Sequence, residues 1–449
     1  MLITGARRIT GEPIAVRIAG DRLADVAFKL SANGDEPVLD ARGGTLLPGL
    51  HDHHVHARAA VAAMQSVKVG PPQVMTPQQL AETLHRCAPR TDGWIRAVGY
   101  HDSVAGELDR HRLDELFDGA PVRIQHRSGA LWIVNTPGLI ALGRPGHPTG
   151  RFFRQDAEFA TITAGESMDF RPLGSALAAL GVTGITEATP NLGAADLEAL
   201  DAAIHAGQLP QRVMVLSRPE GQRFSRLELG PTKRILDDTS LDLDELTRWV
   251  ARQHSGGHAV ALHCVTVVQL VVALTALRTA GVRTGDRIEH AAMVPGDMLN
   301  DLAGLGITVV TQPNFVAERG EEYVVDVPAA EQHELWRVAS LYRAGVPVAG
   351  STDAPFGELD PWAAMRAARD RLTTSGTLLS PDERVSAPTA LAMFLGDPHT
   401  PARPRDLVAG ERADLCIMSA GPDAVLAELS AELVAATVID GHIHHSVDL

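Results

Sequence analysis

Between residues 181 and 357 the chain repeats one unit: a short apolar segment, a polar residue at its end, then a longer amphipathic segment. GVTGITEAT (181–189) follows the helix-like SALAALG, and DLDELTRWVARQHSG precedes HAVALHC (258–264). VVQLVVALTALRTAG leads to GDRIEHAA (285–292), MLNDLAGLG to TVVTQPNF (308–315), and ELWRVASLYRAG to VPVAGSTDAPFG (346–357). Strands that alternate with helices make parallel βαβ units. WIRAVGY (94–100), PVRIQHRSG (121–129), QRVMVLS (211–217) and GPTKRILDD (230–238) read as further strands of this run. Polar residues gather where strands end: His54 and His56, His263, His290, Gln312 and Asp353. A closed barrel brings those ends to one rim, where barrel enzymes carry their sites. An open doubly wound sheet spreads them along a line and usually follows its first strand with a Gly-rich loop. Here the first strand ends in histidines, so the expected fold class is α/β, a (β/α)8 TIM-like barrel.

The two ends of the chain read differently. PIAVRIAG, RLADVAF and PVLDARGGTLLPG are short strands broken by Gly and Asp, as are ADLCIMS (413–419) and LVAATVIDGHIHHSV (433–447). The expected organisation is a composite β-sandwich domain from residues 1–47 and 405–449, with the barrel over 48–404. Two unrelated terminal hairpins are the alternative.

Composition excludes several classes. A net charge of -15 argues against a nucleic-acid binder, which needs clustered Lys and Arg. Cys87, Cys264 and Cys416 are odd in number and far apart, so they form neither a disulfide framework nor a zinc knuckle. The opening MLITGARRIT lacks the apolar stretch of a signal peptide. The apolar run 259–277 contains His, Cys, Thr and Gln and reads as a strand plus a helix, not a membrane span. A cytoplasmic protein with a small-molecule partner, no membrane and no nucleic acid is expected. A homodimer is the commonest arrangement should the chain associate.

PGLHDHHVH (48–56) carries the strongest chemical signal. Residues two apart on a strand share a side, so His54 and His56 can aim both imidazoles at one point, and imidazole suits zinc and related metals. His51 and His53 have the opposite parity and read as supporting or rim residues. His263 and His290 each end an apolar strand; one such histidine is ordinarily a hydrogen-bonded core residue, but two in consecutive units are harder to explain by packing. Asp353 lies deep behind VAGST and needs a cation or donor there, unless it caps a helix. Lys233 reads either as a surface lysine beside Arg234 or as a carbamylated lysine, an anionic bridge offsetting the charge of two cations.

In this order the motifs resemble the metal-dependent amidohydrolase superfamily: PGLHDHHVH, Lys233 in GPTKRILDD, His263, IEH ending at His290, and Asp353 in GSTDAPF. GYHDS, SGALWIVNT, GVTGITEAT and GSTDAPFGELDPW are similar to the branch that includes N-substituted formamide deformylases. The resemblance implies that His54, His56 and Asp353 bind a more buried divalent metal, with zinc the expected ion. His263 and His290 would bind a second, more exposed ion, with carbamylated Lys233 between them. Single-metal members of the superfamily use mainly the HxH pair and the residues matching His263 and Asp353. Two departures bear on the substrate. The branch commonly has SGH where this chain has Ser128, Gly129 and Ala130, and a Glu near the position of Arg154. Arg154 could clamp an anion or pair with Asp156 or Glu158.

The expected reaction is hydrolysis of an amide or related C–N bond, linear N-acyl or N-formyl or cyclic. Metal activates water, Asp353 orients it and takes its proton, and His290 helps with the developing charge. His101, Asp102, Arg127, Arg154, Gln312, Asn314 and Tyr323, with His126, are candidate substrate contacts, each equally readable as ordinary loop hydrogen bonding. The rivals are a deaminase of a heterocyclic amine on the same metal, and a non-catalytic barrel used for binding or assembly. A third, metal storage, would draw on His442, His444 and His445.

Overall fold

The structure is a computed structural model that describes residues 1–153, 168–219, 221 and 223–447. Arg154, Asp156 and Glu158 therefore lie outside the described residues. The chain divides into two compact units, one of Met1–Ala57 with Phe170–Leu449 and one of Arg58–Asp169.

The first unit begins with β1 (Leu2–Arg7), β2 (Pro13–Ala19), β3 (Arg22–Ala27) and β4 (Val38–Asp40), ordered β3-β2-β1-β4 in one sheet. β5 (Leu46–Pro48) leads across Gly49 into β6 (Leu50–Val55), whose six residues are all buried. Such a strand has no solvent face, which explains why LHDHHV shows no apolar–polar alternation although it lies in a core.

The second unit interrupts the barrel after β6. It holds β7 (Val67–Lys68), β8 (Ile95–Tyr100), β9 (Val122–His126), β10 (Leu131–Val134) and β11 (Arg151–Phe153) in one sheet ordered β11-β10-β9-β8-β7. WIRAVGY and PVRIQHRSG are thus strands, as expected, but not strands of the barrel run. β9 turns back tightly into β10, and β10 pairs antiparallel with both β9 and β11, a pattern no parallel barrel contains. Leu80, Leu84, Leu113 and Phe117 from its helices cover Ile95, Ala97, Val122 and Ile124 of the sheet.

The barrel resumes with β12 (Val182–Glu187), β13 (Arg212–Val215), the short β14 (Leu227–Leu229), β15 (Thr232–Ile235), β16 (Val260–Cys264), β17 (Arg287–His290), β18 (Thr308–Thr311) and β19 (Val348–Gly350). β6, β12 and β13 pair in parallel, as do β15 through β19. Two backbone bonds close the ring: Lys233 N to Leu216 O at 2.9 Å joins β15 to the end of β13, and Asp353 N to His54 O at 2.9 Å joins the end of β19 to β6. Eight parallel strands (β6, β12, β13, β15, β16, β17, β18 and β19) therefore form the TIM-like barrel. Helices such as Leu243–Ser255, capped by Asp242, and Val267–Ala280, capped by Thr266 and Gln269, bury apolar stripes against it.

After β20 (Gly396–Asp397) and β21 (Thr400–Pro404) the chain returns to the terminal sheets. β22 (Leu415–Met418), β23 (Val434–Ile439) and β24 (His442–Ser446) form a sheet ordered β24-β23-β22-β5, every pair antiparallel. Ile3, Ile14, Val16 and Leu23 from the N-terminal sheet share one core with Leu46, Leu415, Ile417 and Val438 from the other. The sheets built from the two ends of the chain thus form one body. His442, His444 and His445 lie on β24, with His442 and His444 exposed. No helix among the described residues is long and apolar enough to cross a membrane.

Candidate metal centre

His54 sits on β6 and His56 just beyond it, so both rings face the C-terminal end of the barrel, as their parity predicts. Asp353 arrives three residues after β19 with φ at +57°, in the left-handed region. Its side chain meets the histidines: Oδ1 is 3.3 Å from His56 Nε2 and 3.6 Å from His54 Nε2. One ligand atom from each of the three lies within 4.8 Å of the others, the spacing of donors around a single cation. Asp353 Oδ1 is buried and accepts no hydrogen bond. An orphaned carboxylate oxygen is costly unless a cation meets it. Two imidazole nitrogens and a carboxylate oxygen suit a divalent transition metal, so the residues fit such an ion.

The other sequence-derived candidates surround this triad. Lys233, on β15, is buried, and its Nζ lies 3.0 Å from His54 Nε2. Burial pulls its ammonium down to about 8, against the opposing pull of Glu289 and Asp353. His290 ends β17 with φ at +71°, which breaks strand alternation and turns its ring inward. That ring is centred 4.8 Å from the ring of His54 and 4.4 Å from that of His263. Burial, reinforced by Lys233 for His54 and by His263 for His290, holds both imidazoles well below their ordinary range. They are therefore neutral, the form that donates a lone pair to metal.

Gln312 is buried behind His290: its Oε1 accepts from His290 Nδ1 at 2.8 Å and its Nε2 donates to Ser351 Oγ at 2.8 Å. Asn314 Nδ2 donates to Thr352 O and Glu318 Oε1, both at 3.0 Å. Tyr323 packs near Trp336, their ring centroids 6.5 Å apart. His101, Asp102, His126 and Arg127 belong to the second unit, where His101 caps a short helix through Ser103 and lies near His126. His51 and His53 are fully buried; His51 Nε2 meets Thr186 Oγ1 at 3.0 Å.

Several residues that sequence reasoning passed over prove structurally close to the centre. Asp52 shares a strand face with His54 and accepts from Thr352 N at 3.1 Å and Thr352 Oγ1 at 2.5 Å. Burial pushes its carboxyl up to about 7 despite those bonds. Glu187, at the end of β12, accepts from Ala57 N at 2.6 Å and Thr189 N at 2.8 Å, while Thr189 Oγ1 holds His56 Nδ1 at 2.8 Å. Glu289 meets His54 Nδ1 and is itself held by Arg287. The available signal was DRIEH: two opposite charges two residues apart in an apolar strand share a face, and burial forces them to pair.

A model of the amidohydrolase family matches residues 37–445, and the chain belongs to that family. It is 26% identical to the N-substituted formamide deformylase of Arthrobacter pascens, an alignment that covers 96% of this chain and 94% of that one. Among solved structures, a metal-dependent hydrolase from Pyrococcus horikoshii OT3 superposes with a TM-score of 0.74 at 19% identity over 99% of both chains. One from Pyrococcus furiosus does so with a TM-score of 0.71 at 20% identity, over 94% of this chain and 99% of that one. Family and site together define a metal-dependent hydrolase that acts on a carbon–nitrogen bond.

Proposed function

We propose that the enzyme hydrolyses a linear N-acyl or N-formyl amide, or a cyclic amide, with zinc held by His54, His56 and Asp353. The observation that carries this reading is the buried, unpaired Asp353 Oδ1 beside two imidazole nitrogens. When bound there, a divalent cation would lower the pKa of water and polarise a carbonyl oxygen. Asp353 accepts the proton of the attacking water and returns it to the leaving nitrogen. The oxygen that gains charge would be stabilised by that cation, while His290, whose Nδ1–H goes to Gln312, has the Nε2 lone pair left for metal. Lys233, His263 and His290 are the residues for a second ion, with Lys233 carbamylated to bridge the two. Likeness to the N-substituted formamide deformylase along nearly the whole chain favours linear formamides as the first substrates to try.

The same reading takes the enzyme as cytoplasmic, without a nucleic-acid partner, and as a homodimer should it associate. Its net charge of -15 supports the second point and its three free cysteines the first. His101, Asp102, Arg127, Arg154, Gln312, Asn314 and Tyr323 remain the proposed substrate contacts. The test is a metal-replete screen of N-formyl, N-acyl and cyclic amides, with Asp353→Asn as control. The substitution is expected to lower kcat on the active substrate by at least about 100-fold. Turnover unchanged by it would refute the role given to Asp353. Release of ammonia from a heterocyclic amine, with no amide cleaved, would replace the reading with deamination.

A further inference from the structure

A histidine can present either ring nitrogen to a metal, and the hydrogen bond made by the other nitrogen decides which. On His54 the two nitrogens meet opposite partners. Nδ1 faces Glu289 Oε2, an acceptor, while Nε2 faces Lys233 Nζ, a donor, at 3.0 Å, and Asp353 Oδ1 at 3.6 Å. We propose that Glu289 is a positioning residue: it holds the proton of His54 on Nδ1 and thereby aims the Nε2 lone pair at the cation. The inference rests on the metal reading above.

The surroundings of Glu289 suit that task. It is fully buried on β17, at the residue before His290. Arg287, two residues earlier on the same face, pairs with Glu289 Oε1 and donates from Nη2 to Oε2 at 3.0 Å, a two-point contact that fixes the carboxylate's rotamer. The same Nη2 donates to His53 O at 2.7 Å, so the pair is also tied to the backbone beside His54. Orientation thus passes from β6 through Arg287 and Glu289 back to the His54 ring, across the inside of the barrel. Glu289 does not reach the reacting atoms. Gln312 stands in the same relation to His290 Nδ1, but as a neutral acceptor. A neutral amide can turn to offer its NH2 instead, whereas a carboxylate can only accept.

The test reads the proton and the metal separately. Long-range proton–nitrogen NMR on histidine-labelled, metal-free protein, with His54 assigned from a His54→Gln sample, is expected to show the Nδ1–H tautomer. Cobalt(II) titration of metal-free Glu289→Gln and Glu289→Leu, followed by visible absorption, is expected to show affinity about 10- to 100-fold weaker, worse for Leu, and an altered spectrum. Circular dichroism and thermal melting identify which variants fold. An Nε2–H tautomer on wild-type His54 overturns the proposal even if neither variant folds. Wild-type affinity and spectrum in a folded Glu289→Leu protein overturn it while leaving the metal site intact. Failure of the wild-type protein to take up cobalt overturns the metal reading and this inference together.

Discussion

His290 and Asp353 both adopt positive φ, at +71° and +57°, conformations that non-glycine residues reach at a cost. The turn releases His290 from the alternation of β17, and both side chains face His54. Something must hold such turns, and at Asp353 it is the residue before it. Thr352 gives both its N–H and its hydroxyl to buried Asp52 on β6, so the ligand-bearing loop is pinned to the strand that carries the histidines. Thr352→Val keeps the shape but leaves Asp52 short of a donor. It is expected to destabilise the protein by about 1–3 kcal/mol, measured by urea unfolding of the metal-free form. A change too small to resolve would mean that the Asp52–Thr352 pair does not hold the loop.

The helix Asn314–Asp326 places another carboxylate under strain. Burial pushes Glu318 from 4.5 up to about 7, opposed by hydrogen bonds from Asn314 and Glu358 N. Between those values the folded protein holds a proton that the unfolded chain has lost. Its penalty is therefore absent at low pH and grows as pH rises from 4.5 through 7. Glu318→Gln is expected to raise Tm relative to wild type at pH 8 and to leave it nearly unchanged at pH 4. An equal gain at both values would mean that the charge is not the cause. At this scale the barrel strands were legible, because β16 to β19 each pair an apolar run with a following or preceding helix. The interruption after β6 was not. β8 and β9 have the same apolar composition as barrel strands, and only the tight return from PVRIQHRSG into SGALWIVNT hints that pairing there is antiparallel. The ligand positions could be read from parity and strand ends. The supports could not: Asp52 and Glu289 act through partners hundreds of residues away, Thr352 and His54, and no local pattern encodes such a meeting.

Across the whole molecule, the ends of the chain close on each other. Leu415 of β22 is wholly buried in a core shared with Ile3, Val16 and Leu46, so the strands after the barrel complete a layer begun before it. Leu415→Ala is expected to cost about 2–5 kcal/mol in thermal or urea unfolding while leaving KM unchanged at temperatures where the variant stays folded. A variant of full stability would show that the terminal sheets fold independently of their shared core. The barrel, by contrast, closes through backbone bonds at the site itself, where Asp353 N meets His54 O. The bond that closes the ring at β6 therefore also sets Asp353 beside His54.

The proposed hydrolysis depends on His54, His56 and Asp353 gripping one divalent cation. Metal-free protein dialysed against zinc and then against zinc-free buffer, with bound metal counted by elemental analysis, tests it directly. At least one tightly held equivalent is expected in the wild-type protein, and its loss in a His54→Ala, His56→Ala double variant that remains folded. Less than one equivalent in the wild type, or the same content in both proteins, would contradict it.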